Sequence, residues 1–224
     1  MAYFSDRVDA GKRLAAALKD FTGKKGIVLA IPRGGVVVGF EIAKALNLPL
    51  DVIIPHKLGA PDNPELAIGA VAEDGTMILD KNLIAYMEVP REYIEAEAER
   101  QKQEIQRRLK LYRQDAPNLN LKGLDVIVVD DGIATGSTMK AALASVKNRG
   151  AATVTVAVPV GPPSTIVELK KQADRAVCPY TPEYFAAIGQ FYNDFSQTTD
   201  EEVIQLLKES RQTQTRNPSR RSVA

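Results

Sequence analysis

Residues 124–139 read Leu-Asp-Val-Ile-Val-Val-Asp-Asp-Gly-Ile-Ala-Thr-Gly-Ser-Thr-Met, and this order of chemistries leaves the fold little freedom. The β-branched run at 126–129 has the composition of a strand buried on both faces, as in a parallel sheet. It stops at two carboxylates, Asp130 and Asp131. A turn of small and hydroxyl residues follows, and then Met139, Ala142, Leu143 and Val146 recur at helical spacing. A strand, loop and helix in this order put the loop at the carboxyl end of the strand and the amino end of the helix. Free N–H groups and roughly half a positive charge favour an anion there.

The loop residues suit a phosphate. Thr135, Ser137 and Thr138 offer hydroxyl donors, and Gly136 lets the backbone approach without a Cβ in the way. The acid pair one step earlier would repel a bare phosphate but accepts hydrogen bonds from sugar hydroxyls, so the expected ligand is a ribose phosphate. The plain alternative for Asp130 and Asp131, a solvated turn with a helix cap, leaves the Thr-Gly-Ser-Thr loop without a reason. Other phosphate motifs fail: no lysine follows Gly136 as a Walker A loop needs, and Val36 stands where a dinucleotide fingerprint near Gly34 and Gly35 needs its second glycine. A phosphatase aspartate is equally poor, because the Asp-x-Asp-Gly spacing is absent.

The stretch Val-Val-Asp-Asp-Gly-Ile-Ala-Thr-Gly-Ser-Thr resembles the PRPP-binding signature of the type I phosphoribosyltransferases: a hydrophobic strand, two acids, two or three variable residues, Thr-Gly and Thr. The resemblance covers about residues 27–178. It implies transfer of ribose 5-phosphate from PRPP to an acceptor, a nucleobase, with release of pyrophosphate and inversion at the anomeric carbon. It further implies that Thr135, Gly136, Ser137 and Thr138 hold the 5-phosphate, with Gly132, Ile133 and Ala134 completing the binding loop. Asp130 and Asp131 would bind the 2- and 3-hydroxyls and stabilise an oxocarbenium-like ring. Mg²⁺ is the implied cofactor, bound mainly through PRPP and water rather than by protein ligands.

Upstream, a strand at 27–31 runs into Pro32-Arg33-Gly34-Gly35 and a helix at about 36–46, a second strand, loop and helix. Backbone amides and a guanidinium converge there on an oxyanion. The position resembles the family's pyrophosphate loop, so Arg33, Gly34 and Gly35 are expected to bind pyrophosphate. A third strand, 50–54, ends in Pro55-His56-Lys57, and Lys57 matches the basic residue that the family sets against pyrophosphate. His56 is read as a neutral side chain orienting this loop or as a direct participant. Residues 58–75 begin in turn chemistry and alternate into a hairpin pattern. They occupy the place of the family's flexible catalytic loop, and Asn-Pro-Glu-Leu-Ala-Ile-Gly-Ala-Val is similar to a bacterial subfamily of uncertain acceptor. Purine-salvage enzymes for hypoxanthine and guanine carry an aspartate where this chain has Ala134, so base protonation falls to Glu65 or Glu73.

The remaining sequence supplies the scaffold. Ser5 is expected to cap a first helix striped by Val8, Leu14, Ala15 and Leu18. A long charged helix spans 90–113 with Ile94, Ala98, Ile105, Leu109 and Tyr112 on one stripe, an insertion that packs on the domain's side or on a second copy in a homodimer. A linker at 115–122, a strand at 153–160, a helix at 164–171 and a last strand at 176–178 follow. The economical fold is α/β: a doubly wound, mainly parallel sheet. Residues 179–199 carry most of the aromatics and are read as a hood whose Tyr184, Phe185, Phe191 and Tyr192 stack on a base. Thr199 to Glu202 has the form of a capping box for a terminal helix to about 209, and 210–224 is basic, patternless and expected to be disordered. One domain, 1–209, accounts for the chain.

A net charge of +1 gives no case for nucleic acid or membrane binding. With one cysteine, Cys178, and one histidine, neither a disulfide nor a zinc cluster is expected, and no run of apolar residues is long enough to cross a bilayer. The expected location is the cytoplasm. The competing functional reading is a regulatory protein that binds PRPP without turning it over. The absence of a helix-turn-helix module in the sequence, together with the long loop and Lys57, argues against it.

Overall fold

The computed structural model describes residues 3–114, 116 and 119–215. In chain order its elements are α1 (Arg7–Ala17), β1 (Gly26–Ala30), α2 (Gly34–Leu46), β2 (Leu50–Val52), β3 (His56–Ala60), β4 (Asn63–Val71), β5 (Met77–Leu79), α3 (Lys81–Tyr86), α4 (Arg91–Arg113), β6 (Asp125–Val129), α5 (Ser137–Asn148), β7 (Thr153–Ala157), α6 (Pro163–Gln172), β8 (Arg175–Val177) and α7 (Asp200–Thr215). Five of the strands form a parallel sheet in the order β2-β1-β6-β7-β8.

Alternation along these strands feeds two separate cores. Val28, Ala30, Ile127 and Val129 point to one face, where α1, α2, α4 and α7 contribute Leu14, Ile42, Ile105 and Leu207. Ile27, Leu29, Val126 and Val128 point to the other, against Met139 and Val146 of α5 and Leu169 of α6. A strand covered on both sides must be apolar at every position, which is why the β1 and β6 segments read as unbroken runs. The sheet is doubly wound as expected.

The chain builds β1 and β2 towards one edge and then returns to lay β6, β7 and β8 towards the other. The order therefore reverses between β1 and β6, whose Ala30 and Val129 are in register. At such a reversal the loops leaving the two strands turn to opposite faces and open a crevice at the carboxyl ends. Both loops singled out by the sequence lie there.

Several boundaries differ from expectation. The first helix is capped by Asp6, whose carboxylate accepts from the Asp9 N–H at 2.7 Å, rather than by Ser5; the Ser5 N–H instead donates to Asp9. The hairpin pattern of residues 58–75 extends further than expected: β3, β4 and β5 form a three-stranded antiparallel sheet, irregular in register around Gly59. The apolar half of β4 packs into the first core through Ile68 and Val71, so the hairpin pattern prevailed over the turn chemistry at its tip. The capping box at Thr199 and Glu202 forms reciprocally, but α7 continues to Thr215, because Val203, Leu207 and the buried Ser210 keep one face against the body. The expected disorder from 210 therefore does not hold for 210–215, and 216–224 lie outside the described residues, as do 115, 117 and 118 of the expected linker. Among the described residues, no helix is long and apolar enough to cross a membrane.

Candidate active site at the strand ends

The loop after β6 is fixed at three points. The Ile133 N–H donates to the Val160 carbonyl at 2.9 Å, Thr165 Oγ1 donates to the Ala134 carbonyl at 2.8 Å, and Gly136 takes a left-handed φ of 76° at the N-cap of α5. That φ is where glycine belongs. No side chain caps α5, so its first N–H groups face the loop; Ala134 and Thr135 are exposed, and Ser137 and Thr138 half-buried. Thr135 Oγ1 and Ser137 Oγ lie 3.3 Å apart. Gly132 is required for a different reason: a Cβ there would fall 2.4 Å from the Ile188 side chain.

The two acids are not equivalent. Asp130 accepts the Asp131 N–H at 2.8 Å, and burial, reinforced by the charge of Asp131, raises its carboxyl well above the ordinary range. Asp131 is ion-paired: Arg7 Nε lies 2.7 Å from its Oδ2, both side chains largely covered. Its main-chain carbonyl accepts from the Tyr192 hydroxyl at 2.5 Å. Arg7 is itself held by the Ser196 carbonyl, 2.7 Å from Nη1, and lies 3.9 Å above the Phe195 ring.

The loop after β1 meets this acid pair directly. A Cβ on Gly34 would lie 1.9 Å from Asp131 Oδ2, and one on Gly35 would lie 2.9 Å from the Asp130 Cα. Two glycines are needed so that this loop can reach the neighbouring strand's acids. The peptide joining Pro32 to Arg33 is cis. Arg33 is the N-cap residue of α2 and its Nη1 is 3.7 Å from Asp200, which also accepts from the Tyr112 hydroxyl at 2.5 Å. Burial, together with that carboxylate, pushes the Tyr112 phenol up.

The structure therefore brings together Arg33, Gly34, Gly35, Asp130, Asp131 and the loop from Gly132 to Thr138. Lys57 is a less direct fit: it stands exposed on β3, not in a loop beyond a strand end, and makes no ion pair among the described residues. His56 is half-buried with Nδ1 2.9 Å from Gln101 Oε1, and burial lowers its pKa. Glu73 lies in the turn between β4 and β5, half-buried and paired with Arg113 and Arg149, while Glu65 is exposed on β4.

Among the four aromatics read as base-stacking candidates, Phe191 and Tyr192 are buried in a cluster with Phe4 and Val160, and Phe185 packs on Phe191 at 5.2 Å. Tyr184 is 90% exposed. The sequence reading missed Arg7 and Asp200. Arg7 begins an amphipathic helix and Asp200 opens another, so each reads as an ordinary solvated charge until the fold brings it to the strand ends.

A family model described as phosphoribosyl transferase domain matches residues 5–195. Two curated proteins from Mycobacterium tuberculosis strains, each provisionally named a phosphoribosyl transferase, are 44% identical over 207 residues, 92% of this chain and 47% of theirs. The chain thus spans about half the length of these relatives. The crystal structure of TT1426 from Thermus thermophilus superposes with a TM-score of 0.79 at 44% identity, covering 92% of this chain and 98% of that one. A shorter match, 37% identical over 83 residues, is to a ribose-phosphate pyrophosphokinase from Saccharolobus solfataricus, covering 37% of this chain and 26% of that protein.

Proposed function

The chain belongs to the phosphoribosyltransferase family, and on that premise we propose that it moves the ribose 5-phosphate of PRPP to an acceptor, a nucleobase, with release of pyrophosphate. The observation that carries this reading is the contact between the two loops at the sheet reversal: Gly34 and Gly35 pack on Asp131 and Asp130. A ligand with phosphates at both ends of a ribose needs an acceptor pair between two anion cradles, and the packing of the β1 loop on Asp130 and Asp131 supports that reading. The stretch shared with a ribose-phosphate pyrophosphokinase supports a ribose-phosphate ligand.

In this reading the N-terminal amides of α5, with Thr135, Ser137 and Thr138, bind the 5-phosphate, and Asp130 and Asp131 accept from the ring hydroxyls. Arg33, Gly34, Gly35 and Lys57 receive the departing pyrophosphate. The ionised form of Asp130 is disfavoured while the site is neutral, because it is buried beside another carboxylate. Positive charge developing on the ribose ring would relieve that cost, so the interaction strengthens in the transition state and contributes to rate rather than only to binding.

Mg²⁺ of the kind bound largely by its ligand would suit the site, where Asp130 and Asp131 could reach it directly or through water. When bound, the cation would neutralise charge on the diphosphate. The segment 179–199 serves as a hood within the same unit, 1–209, a reading supported by the contacts of Ile188 with Gly132 and of Tyr192 with Asp131. A nucleoside monophosphate product and a cytoplasmic setting go with this proposal.

Phosphorus NMR of the protein with PRPP and Mg²⁺, before and after a mixture of purine and pyrimidine bases, tests it, with Asp130→Asn/Asp131→Asn as control. Pyrophosphate that appears only with bases, and not in the control, is the expected result. PRPP resonances that broaden without turnover would replace transfer by PRPP sensing, and unaltered resonances would sink both.

A further inference from the structure

We infer that Arg7 is a second pyrophosphate-binding arginine, held on Asp131 until the sugar displaces it. This rests on the PRPP reading of the site and adds to it a residue from outside both loops. Three observations support it. Arg7 Nε donates to Asp131 Oδ2 at 2.7 Å, on the carboxylate that a ribose hydroxyl would use in the PRPP reading, so a sugar bound there meets the guanidinium. The guanidinium lies against the other loop, its Nε 2.6 Å from the position of a Gly34 Cβ. Its Nη1 is engaged by Ser196, whereas its Nη2 has no hydrogen-bond acceptor among the described residues.

These facts assign a direction to the exchange. When hydroxyls donate to Asp131, Arg7 loses its acceptor in a largely covered site, where an unpaired guanidinium is costly. The Phe195 ring beneath it and the Ser196 carbonyl keep it from leaving for solvent. The adjoining Gly34 is where a diphosphate would supply new negative oxygens, and the fork of N–H donors suits them. Sugar and diphosphate would therefore bind cooperatively through one side chain, and PRPP, which carries both, would be favoured over either half.

Calorimetric titration of the full chain with PRPP, ribose 5-phosphate and pyrophosphate, each with Mg²⁺, separates this from a structural role. In Arg7→Gln, pyrophosphate and PRPP should bind about ten- to a hundredfold more weakly, as expected for a lost charged hydrogen bond. Ribose 5-phosphate should bind as tightly as before or more tightly, since its competitor is gone. Arg7→Lys, which keeps the charge but not the fork, should fall between on pyrophosphate. Equal loss for all three ligands, loss confined to ribose 5-phosphate, or no change would overturn the role of Arg7. If the unmodified protein bound PRPP in none of these titrations, the PRPP reading itself would fall, and this inference with it.

Discussion

The hydroxyl of Tyr192 donates to the main-chain carbonyl of Asp131 at 2.5 Å, so the aromatic segment after β8 is tied to the backbone of the acid pair. Tyr192→Phe keeps the ring contacts with Phe4 and Phe195 but strands a buried carbonyl. The expected cost is about 1–3 kcal/mol of stability, read from the shift of the urea midpoint, with weaker PRPP binding alongside. An unchanged midpoint would mean that the carbonyl finds another donor.

Asp130 sets a pH dependence. Its carboxyl is raised above the ordinary value of 3.8 by burial first and by Asp131 second, so the folded protein holds a proton that the unfolded chain has released. Between those two values the native state binds more protons, and stability falls as pH rises through that window. Asp130→Asn, which still accepts the Asp131 N–H, should be more stable than the parent at pH 7, with the gap closing as pH falls to about 3.8. On the proposed function, the rate of transfer from PRPP should drop by roughly 100-fold or more, as for other lost electrostatic stabilisers. Melting curves at several pH values check the first part; a gap that persists in acid would contradict it.

The strand ends were legible in the sequence because their signals are local. The β6 run, the acids and the Thr-Gly-Ser-Thr loop follow one another along the chain, as do β1 and its glycines, and the doubly wound sheet follows from strands buried on both faces. What escaped were pairings made by distant segments. Arg7 is 124 positions from Asp131, and Arg33 reaches Asp200 across most of the chain. The aromatic segment misled for a related reason: composition announces rings but not which face they turn, and Phe191 and Tyr192 turn inward to fill the space around Phe4. For β3 to β5, the alternation already pointed to a hairpin, and only the third strand and the early start of β3 at His56 went beyond it.

Away from the strand ends, Arg113 is buried between Asp51, at 2.9 Å, and Glu73, and its Nη2 donates to the Val52 carbonyl. Removing the cation takes from Asp51 the guanidinium that neutralises it, in a covered site where burial already works against its ionised form, while Glu73 keeps Arg149. Arg113→Leu should cost about 3–5 kcal/mol. Asp51→Asn in the same background should recover part of that loss, because it removes the buried charge that Arg113 neutralised. A double variant less stable than Arg113→Leu alone would refute the ion-pair account.

Asp200 competes with any anion for Arg33. The pair is 3.7 Å apart and partly exposed, so its strength is modest, about 0–1 kcal/mol. Asp200→Asn keeps an acceptor for the Tyr112 hydroxyl while removing the competing charge. Pyrophosphate should then bind about two- to fivefold more tightly. Weaker binding in the titration would instead mean that Asp200 aims Arg33 rather than restrains it.

Gly34 is the position at which the two loops leave no room. An added Cβ would fall 1.9 Å from Asp131 Oδ2 and 2.6 Å from Arg7 Nε, separations that no rotation of a methyl group relieves. The backbone of Asp131 is anchored, since Tyr192 holds its carbonyl and its N–H is committed to Asp130, so its side chain must swing away from Arg7 to make room. Gly34→Ala should therefore break the Arg7–Asp131 pair or push the loop off the acid pair, costing about 1–3 kcal/mol. It should also abolish PRPP binding on the calorimeter. Because the same ion pair is lost either way, Gly34→Ala combined with Arg7→Gln should cost less stability than the sum of the two single changes, by about 0.5 kcal/mol or more. Strict additivity would place the clash elsewhere and separate the glycine's role from that of the arginine above it.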